Sequence, residues 1–171
     1  MISITFNYIL KLANTYQNLI IFFVFILSFL ESLAIISLIL PSTLILISIS
    51  VLINNNGVAF FPIWFATVIG AFLGDWLSYW IGYHYKKKII LIWNKFFSES
   101  FFKKGYLFFN RWGKYSIFIG RFFGPFRAII PMIAGIYTMP KHFFQIFNLL
   151  SAMIWALIIL TPGSFLTHLI M

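Results

Sequence analysis

Four ionisable residues of this 171-residue chain stand inside apolar surroundings: Glu31, Asp75, Arg121 and Arg127. A central aspartate or arginine disfavours bilayer insertion by about 2.5–3.5 kcal/mol, so several together need mutual pairing or a wet cavity. Two acids and two arginines balance in number, and a neutral cluster is the simplest arrangement they permit. The arginines suit a phosphate, because a guanidinium presents planar, bidentate donors, stays charged and tolerates partial dehydration better than lysine. They flank a helix breaker in "GRFFGPFRAIIP", Gly120 to Pro131. A break at Gly124 and Pro125 frees backbone N–H groups, and a half-helix starting near Phe126 would aim its positive end at an anion. The expected chemistry is an anion site at membrane depth. Arg121 and Arg127 bind phosphate there, and Glu31 and Asp75 balance charge or couple protons.

Each charge also has a plainer reading. Asp75, beside Trp76 and about ten residues before a lysine run, suits a place near the interface. Arg121 follows Lys114 by seven residues and could snorkel to the surface. Glu31 is the best candidate for a changing protonation state, since burial raises a carboxyl pKa and a nearby arginine lowers it. The opposing reading is a glutamate paired throughout that holds the fold.

Other chemistry lacks its residues. The chain has no cysteine, which excludes thiolate metal sites, disulfides and Cys nucleophiles. His84, His142 and His168 have no i, i+4 partner or acidic companion at metal-ligand spacing and read as interface residues. Ser32, Ser37, Ser42 and Thr43 lack a nearby base and read as packing or hinge residues. The Phe, Trp and Tyr residues read as lipid-facing packing and interface belts. No catalytic residue, metal or cofactor is expected, and an intramembrane lipid phosphatase would lack its nucleophile.

The elements that position the charges are membrane helices. Hydrophobic residues make up 62% of the chain and charged ones 9%, against roughly half and a quarter in soluble domains. Long apolar runs at Leu19–Leu40, Val58–Ile81 and Phe143–Leu160 each approach the roughly 20 residues that cross a bilayer. The first run is stopped by Pro41. Twelve apolar residues, Ser42–Ile53, then reach only about 18 Å, too short to span. Tyr115–Phe123 and Ala128–Thr138, divided by Gly124-Pro125, are short as well, and "TPG" at Thr161–Gly163 is expected to end the last span. Gly70, Gly74 and Gly82 in the middle span allow close helix approach.

The expected fold is an all-α polytopic membrane protein of transmembrane helices plus two oppositely oriented re-entrant helical hairpins, inverted-repeat-like. Paired, Gly/Pro-interrupted short segments are the sequence pointer to such a site. Pro41, Gly124 and Pro125 are the expected hairpin breaks. Residues 1–18 form an amphipathic N-terminal segment without signal-peptide features and are expected to stay attached, and 19–171 form one membrane domain. Within it, residues 86–114 mix aromatics with lysines, as an amphipathic cytoplasmic segment would.

Eleven of the twelve lysines and arginines lie between Lys86 and Lys141, against three acids in the whole chain. Basic loops beside spans follow the positive-inside rule, which places them in the cytoplasm against anionic lipids. A nucleic-acid partner is not expected.

The stretches "ESLAIISLILPSTLIL", "GAFLGDWLSYWIGYHYKK", "GRFFGPFRAIIPMIAGIYTMP" and "NLLSAMIWALIILTPG" resemble, in order and spacing, the DedA family, also called the SNARE-associated or VTT domain family, most closely its YabI-like branch. The resemblance implies a multi-pass protein of the bacterial inner membrane with two re-entrant hairpins. It implies movement of phosphate-bearing lipids, polyprenyl phosphate or phospholipid, that depends on the proton motive force. Glu31, Arg121 and Arg127 fall on the family's functional charged positions and Asp75 on the "GD" of its central helix. Many relatives carry an acid after the Pro-Gly that follows the first glutamate, where this chain has Ser42 and Thr43, which removes one proton-coupling carboxylate.

The leading expectation is a translocase or scramblase for phosphate-bearing membrane lipids that supports envelope homeostasis, with protons as a coupling ion and a homo-oligomer left open. The alternative is a non-transporting membrane organiser or lipid-binding stability factor whose charges only hold the hairpins together. An exchange such as Glu31→Arg with Arg121→Glu separates the two, since a phosphate site would not tolerate it.

Overall fold

The computed structural model describes residues 17–33, 46–47, 60–89 and 99–170. These residues form helices and, among them, no strand. The elements are α1 (Gln17–Ser32), α2 (Phe60–His84), α3 (Glu99–Trp112), α4 (Tyr115–Gly120), α5 (Gly124–Ile136) and α6 (Lys141–Ile170). Pro41, most of the 1–18 segment and most of Ser42–Ile53 lie outside the described residues.

Among the described residues two helices are long and apolar enough to cross a membrane, Phe60–His84 and Lys141–Thr161. Their surfaces are arranged for lipid. On α6, Ile146, Leu149, Ile154 and Leu157 are exposed, whereas Asn148 and Ser151, on the other face, are buried. An exterior of large apolar side chains around buried polar ones is the pattern a bilayer requires.

Two expected boundaries move. The apolar run Leu19–Leu40 does not continue as one helix, because α1 ends at Ser32, where the Leu33 N–H turns back to the Leu30 carbonyl at 3.2 Å. The sixteen described residues of α1 make about 24 Å of helix. The "TPG" stop does not end α6, which continues to Ile170. Proline there removes one N–H but leaves the chain free to continue, and the Thr161 hydroxyl donates to the Leu157 carbonyl in the turn that Pro162 disturbs.

α1 and α2 pack backbone to backbone. Gly70 and Gly74 face Ser28 and Ser32, so a small-xxx-small pair on each helix meets its counterpart. A Cβ at Gly70 would stand 2.5 Å from the Phe25 carbonyl oxygen, and one at Gly74 2.5 Å from that of Phe29. The Ser28 hydroxyl donates to the Thr67 carbonyl at 2.7 Å, which adds a polar clasp to the contact. α2 also packs on α5, where Gly135 lies against the backbone of Tyr79 and Tyr83. The main apolar core joins Val24 of α1, Leu46, Ile63 and Ala71 of α2, and Ala152 and Trp155 of α6.

The turn between α5 and α6 has the bonds of a Schellman cap: Met139 N–H to Ala134 O and Thr138 N–H to Gly135 O, both at 3.0 Å. Thr138 holds the left-handed position at φ 55°, where a β-branched residue is disfavoured. Thr138→Gly is expected to raise unfolding stability in detergent by about 1 kcal/mol. An unchanged or lowered melting temperature would show that this turn does not adopt the left-handed conformation.

Candidate functional site

All four charged residues singled out above are buried: Glu31 at 3% exposure, Asp75 at 2%, Arg121 at 4% and Arg127 at 7%. The structure therefore overturns the reading of Arg121 as snorkelling to the surface, and it gives Asp75 a buried ion-pair partner instead of a merely local hydrogen bond. They form two ion pairs. Arg127 Nη1 donates to Glu31 Oε1 at 2.7 Å, and Arg121 Nη2 donates to the Asp75 carboxylate. Glu31 thus pairs with Arg127, so the exchange written above on Glu31 and Arg121 belongs on Glu31 and Arg127.

Each charge reaches this place through its local fold. Asp75 directly follows Gly74, and the close α1–α2 crossing at that glycine brings Ser32 and Glu31 beside it. Ser78 reinforces the crossing, its hydroxyl lying 3.3 Å from the Ser32 carbonyl. Arg121 directly follows α4, and Arg127 lies in the first turn of α5, which opens on Gly124-Pro125 two residues earlier than Phe126. Proline suits that opening position because its missing N–H needs no partner there. The sequence-predicted break is thus a two-helix joint, with Phe123 capping α5 and the Arg127 N–H bonded to the Phe123 carbonyl at 3.3 Å.

A further contributor is α6, whose residues carry no ionisable group that marks them in the sequence as part of the site. Asn148 Oδ1 accepts from Arg121 Nη2 at 2.5 Å, while its Nδ2 donates to the Phe72 carbonyl at 3.1 Å. Two turns further on, the Trp155 ring lies 3.9 Å from Arg127 Cζ, a face-on contact that stabilises a desolvated guanidinium. Trp155 is therefore no belt residue. Ser32, read as a packing residue, also accepts from Arg127 Nη2 at 3.4 Å. The signal that could have found Asn148 and Trp155 is their spacing of seven, which places an amide and an indole on one face of the last span.

The two pairs form one neutral cluster, and Arg121 lies within electrostatic reach of both Arg127 and Glu31. Its local electrostatics run against the helices that carry it. Glu31 occupies the last turn of α1, the negative end of a helix dipole, and Arg127 the first turn of α5, a positive end. Three polar atoms, Arg121 Nη1, Arg127 Nε and Asp75 Oδ1, are buried without a hydrogen-bond partner among the described residues. Chemically, the cluster offers unused guanidinium donors beside a helix N-terminus, with carboxylates alongside that neutralise them. Those described residues contain no group of three or more His, Cys, Asp or Glu able to hold a metal.

The sequence matches the VTT domain family over residues 40–165. It is 33% identical to the inner membrane protein YabI of Escherichia coli strain K12 over 147 residues, covering 82% of this chain and 55% of that one. An uncharacterized membrane protein of Buchnera aphidicola subsp. Schizaphis graminum is 36% identical over 145 residues, covering 81% and 55%. The inner membrane protein YqjA of Escherichia coli strain K12 is 29% identical over 160 residues, covering 91% and 71%. The chain thus spans about half the length of the first two of these relatives. No solved structure matches it significantly. By its family match, its relatives and its lipid-facing exterior, the chain belongs to the VTT domain family, the DedA family its motifs resemble, and is an inner membrane protein.

Proposed function

We propose that the protein moves phosphate-bearing lipids between leaflets, with Arg121 and Arg127 holding the headgroup phosphate and Glu31 and Asp75 releasing the arginines to it. The observation that carries this reading is the pair of buried arginines that keep unclaimed donors beside the N-terminus of α5. An arrangement that puts a cation at a positive helix end and an anion at a negative one is not the choice of stability alone, and such local conflicts mark functional sites. The broken helices support the same reading. α4 and α5 are about 9 Å and 20 Å long, and each needs a partner half to pass through the bilayer. In this reading α4 and α5 make one re-entrant hairpin; the other, expected around Pro41, lies outside the described residues. The lysine-rich α3 and its flanks face the cytoplasm.

The test is headgroup exposure of a labelled phospholipid in proteoliposomes. Wild-type protein is expected to accelerate flipping over empty vesicles, and Arg127→Ala to return it to the empty-vesicle rate. Equal rates in all three preparations would sink the reading.

A second reading, a non-transporting membrane organiser, is favoured by one specific observation: each arginine is already engaged by a carboxylate. It predicts that Glu31→Arg combined with Arg127→Glu retains function, because the ion pair survives the exchange. The translocase reading predicts loss, because the cation leaves the N-terminus of α5.

A further inference from the structure

The end of α2 carries lysines that the buried cluster does not use. Tyr79, buried in α2, donates its hydroxyl to the Met139 carbonyl at 2.5 Å and stacks on Phe144 with ring centroids 4.3 Å apart. Those contacts pin the turn before α6 against α2, one turn below Tyr83. Lys141, the first residue of α6, consequently places its ammonium 5.7 Å from the centre of the Tyr83 ring. Lys86, from the other side of the junction, places its own 5.4 Å from the same centre. Tyr83, His84 and Tyr85 to Lys88 line an open cleft of about 430 Å³ on the α2 side of this junction, beside which Lys141 stands without lining it.

Two ammonium groups converging on one ring repel each other, and this chain has little with which to neutralise them. Of its three carboxylates, Glu31 and Asp75 are taken by the buried arginines. Among the described residues no ion pair reaches Lys86 or Lys141. The lysine run after α2 has a partial explanation, since cations are favoured at the negative end of a helix. Lys141 lacks that favourable helix end, because it opens α6 at a positive end, where a cation is disfavoured and an anion is favoured.

We infer that Lys86 and Lys141, on the Tyr83 ring, form a surface site for a phosphate anion at the junction of α2 and α6, separate from the buried arginine cluster. The phosphate comes from a lipid headgroup or is free in solution, and both present the same oxygens to the two ammonium groups.

The experiment uses the full chain purified in detergent, with bound lipid counted by native mass spectrometry after equilibration with phosphatidylglycerol or with phosphatidylcholine. Wild-type protein is expected to retain phosphatidylglycerol in preference. Lys86→Gln with Lys141→Gln is expected to weaken that retention about tenfold, given the strength of lysine contacts with anionic headgroups. Lys103→Gln with Lys104→Gln, an equal charge loss on α3, is expected to leave it within about twofold. Lys86→Arg with Lys141→Arg keeps the charge and is expected to bind as wild type, which separates site loss from misfolding. Displacement of the bound lipid by millimolar inorganic phosphate identifies a site open to free phosphate, and resistance identifies a headgroup site. Equal losses from the two glutamine pairs, or no preference for phosphatidylglycerol in the wild type, would overturn the inference.

Discussion

Arg127→Met is expected to destabilise the protein by about 3–5 kcal/mol, the cost of leaving one member of a buried ion pair without its partner. The member that loses this cation is Glu31, 3% exposed, whose Oε1 receives the Nη1 donor at 2.7 Å. The double variant Glu31→Leu with Arg127→Met is expected to recover the loss and to equal or exceed wild-type stability, because an apolar pair of similar volume removes two desolvation penalties at once. Methionine retains contact with the Trp155 ring that the guanidinium covered, since its thioether packs well against aromatics. Unfolding in detergent, by heat or by denaturant, reads both numbers. A loss below about 1 kcal/mol for the single variant would place the pair in the class of exposed ion pairs and refute the buried cluster. The double variant also separates fold from function: stable but unable to move lipid is the result the phosphate reading requires.

Gly74→Ala is expected to cost about 2–3 kcal/mol, the upper part of the range for overpacking. The added Cβ would meet the Phe29 carbonyl oxygen at 2.5 Å and Ser32 Cβ at 2.7 Å, and neither is a flexible side-chain end that can step aside. Helix propensity alone favours alanine by about 1 kcal/mol, so the sign of the measured change tells which effect wins. Because Asp75 and Ser32 adjoin the contact, separating α1 from α2 also draws Glu31 away from Arg127. Lipid movement is expected to fall with stability in this variant, whereas a stabilised protein would mean that the two helices do not cross so closely.

How much of this was legible beforehand differs by residue. The buried acids and arginines were readable because charge in an apolar run has few places to go, and in this chain two acids and two arginines find each other. The glycines of α2 were readable because close approach needs a missing side chain. The break at Gly124-Pro125 was readable to within two residues, since proline is favoured in the first turn of a helix. The end of α1 was not, because "ESLAIISLIL" remains apolar through Leu40 and nothing in its composition marks Ser32 as a terminus. The end of α6 misled in the opposite direction, because a proline and a glycine that usually stop a helix are carried within this one.

The sequence by itself determined the solvent, the class of elements and the identity of the charges that must be neutralised, because each follows from local composition: how many apolar residues run together and what interrupts them. Only the tertiary structure decided which carboxylate meets which guanidinium, and that Asn148 and Trp155 of the last helix complete the cluster. Those facts depend on residues 27 to 96 positions apart in the chain. Such distances are closed by the packing of α1 on α2, of α5 against α2 and of α4 against α6, and no local pattern encodes them.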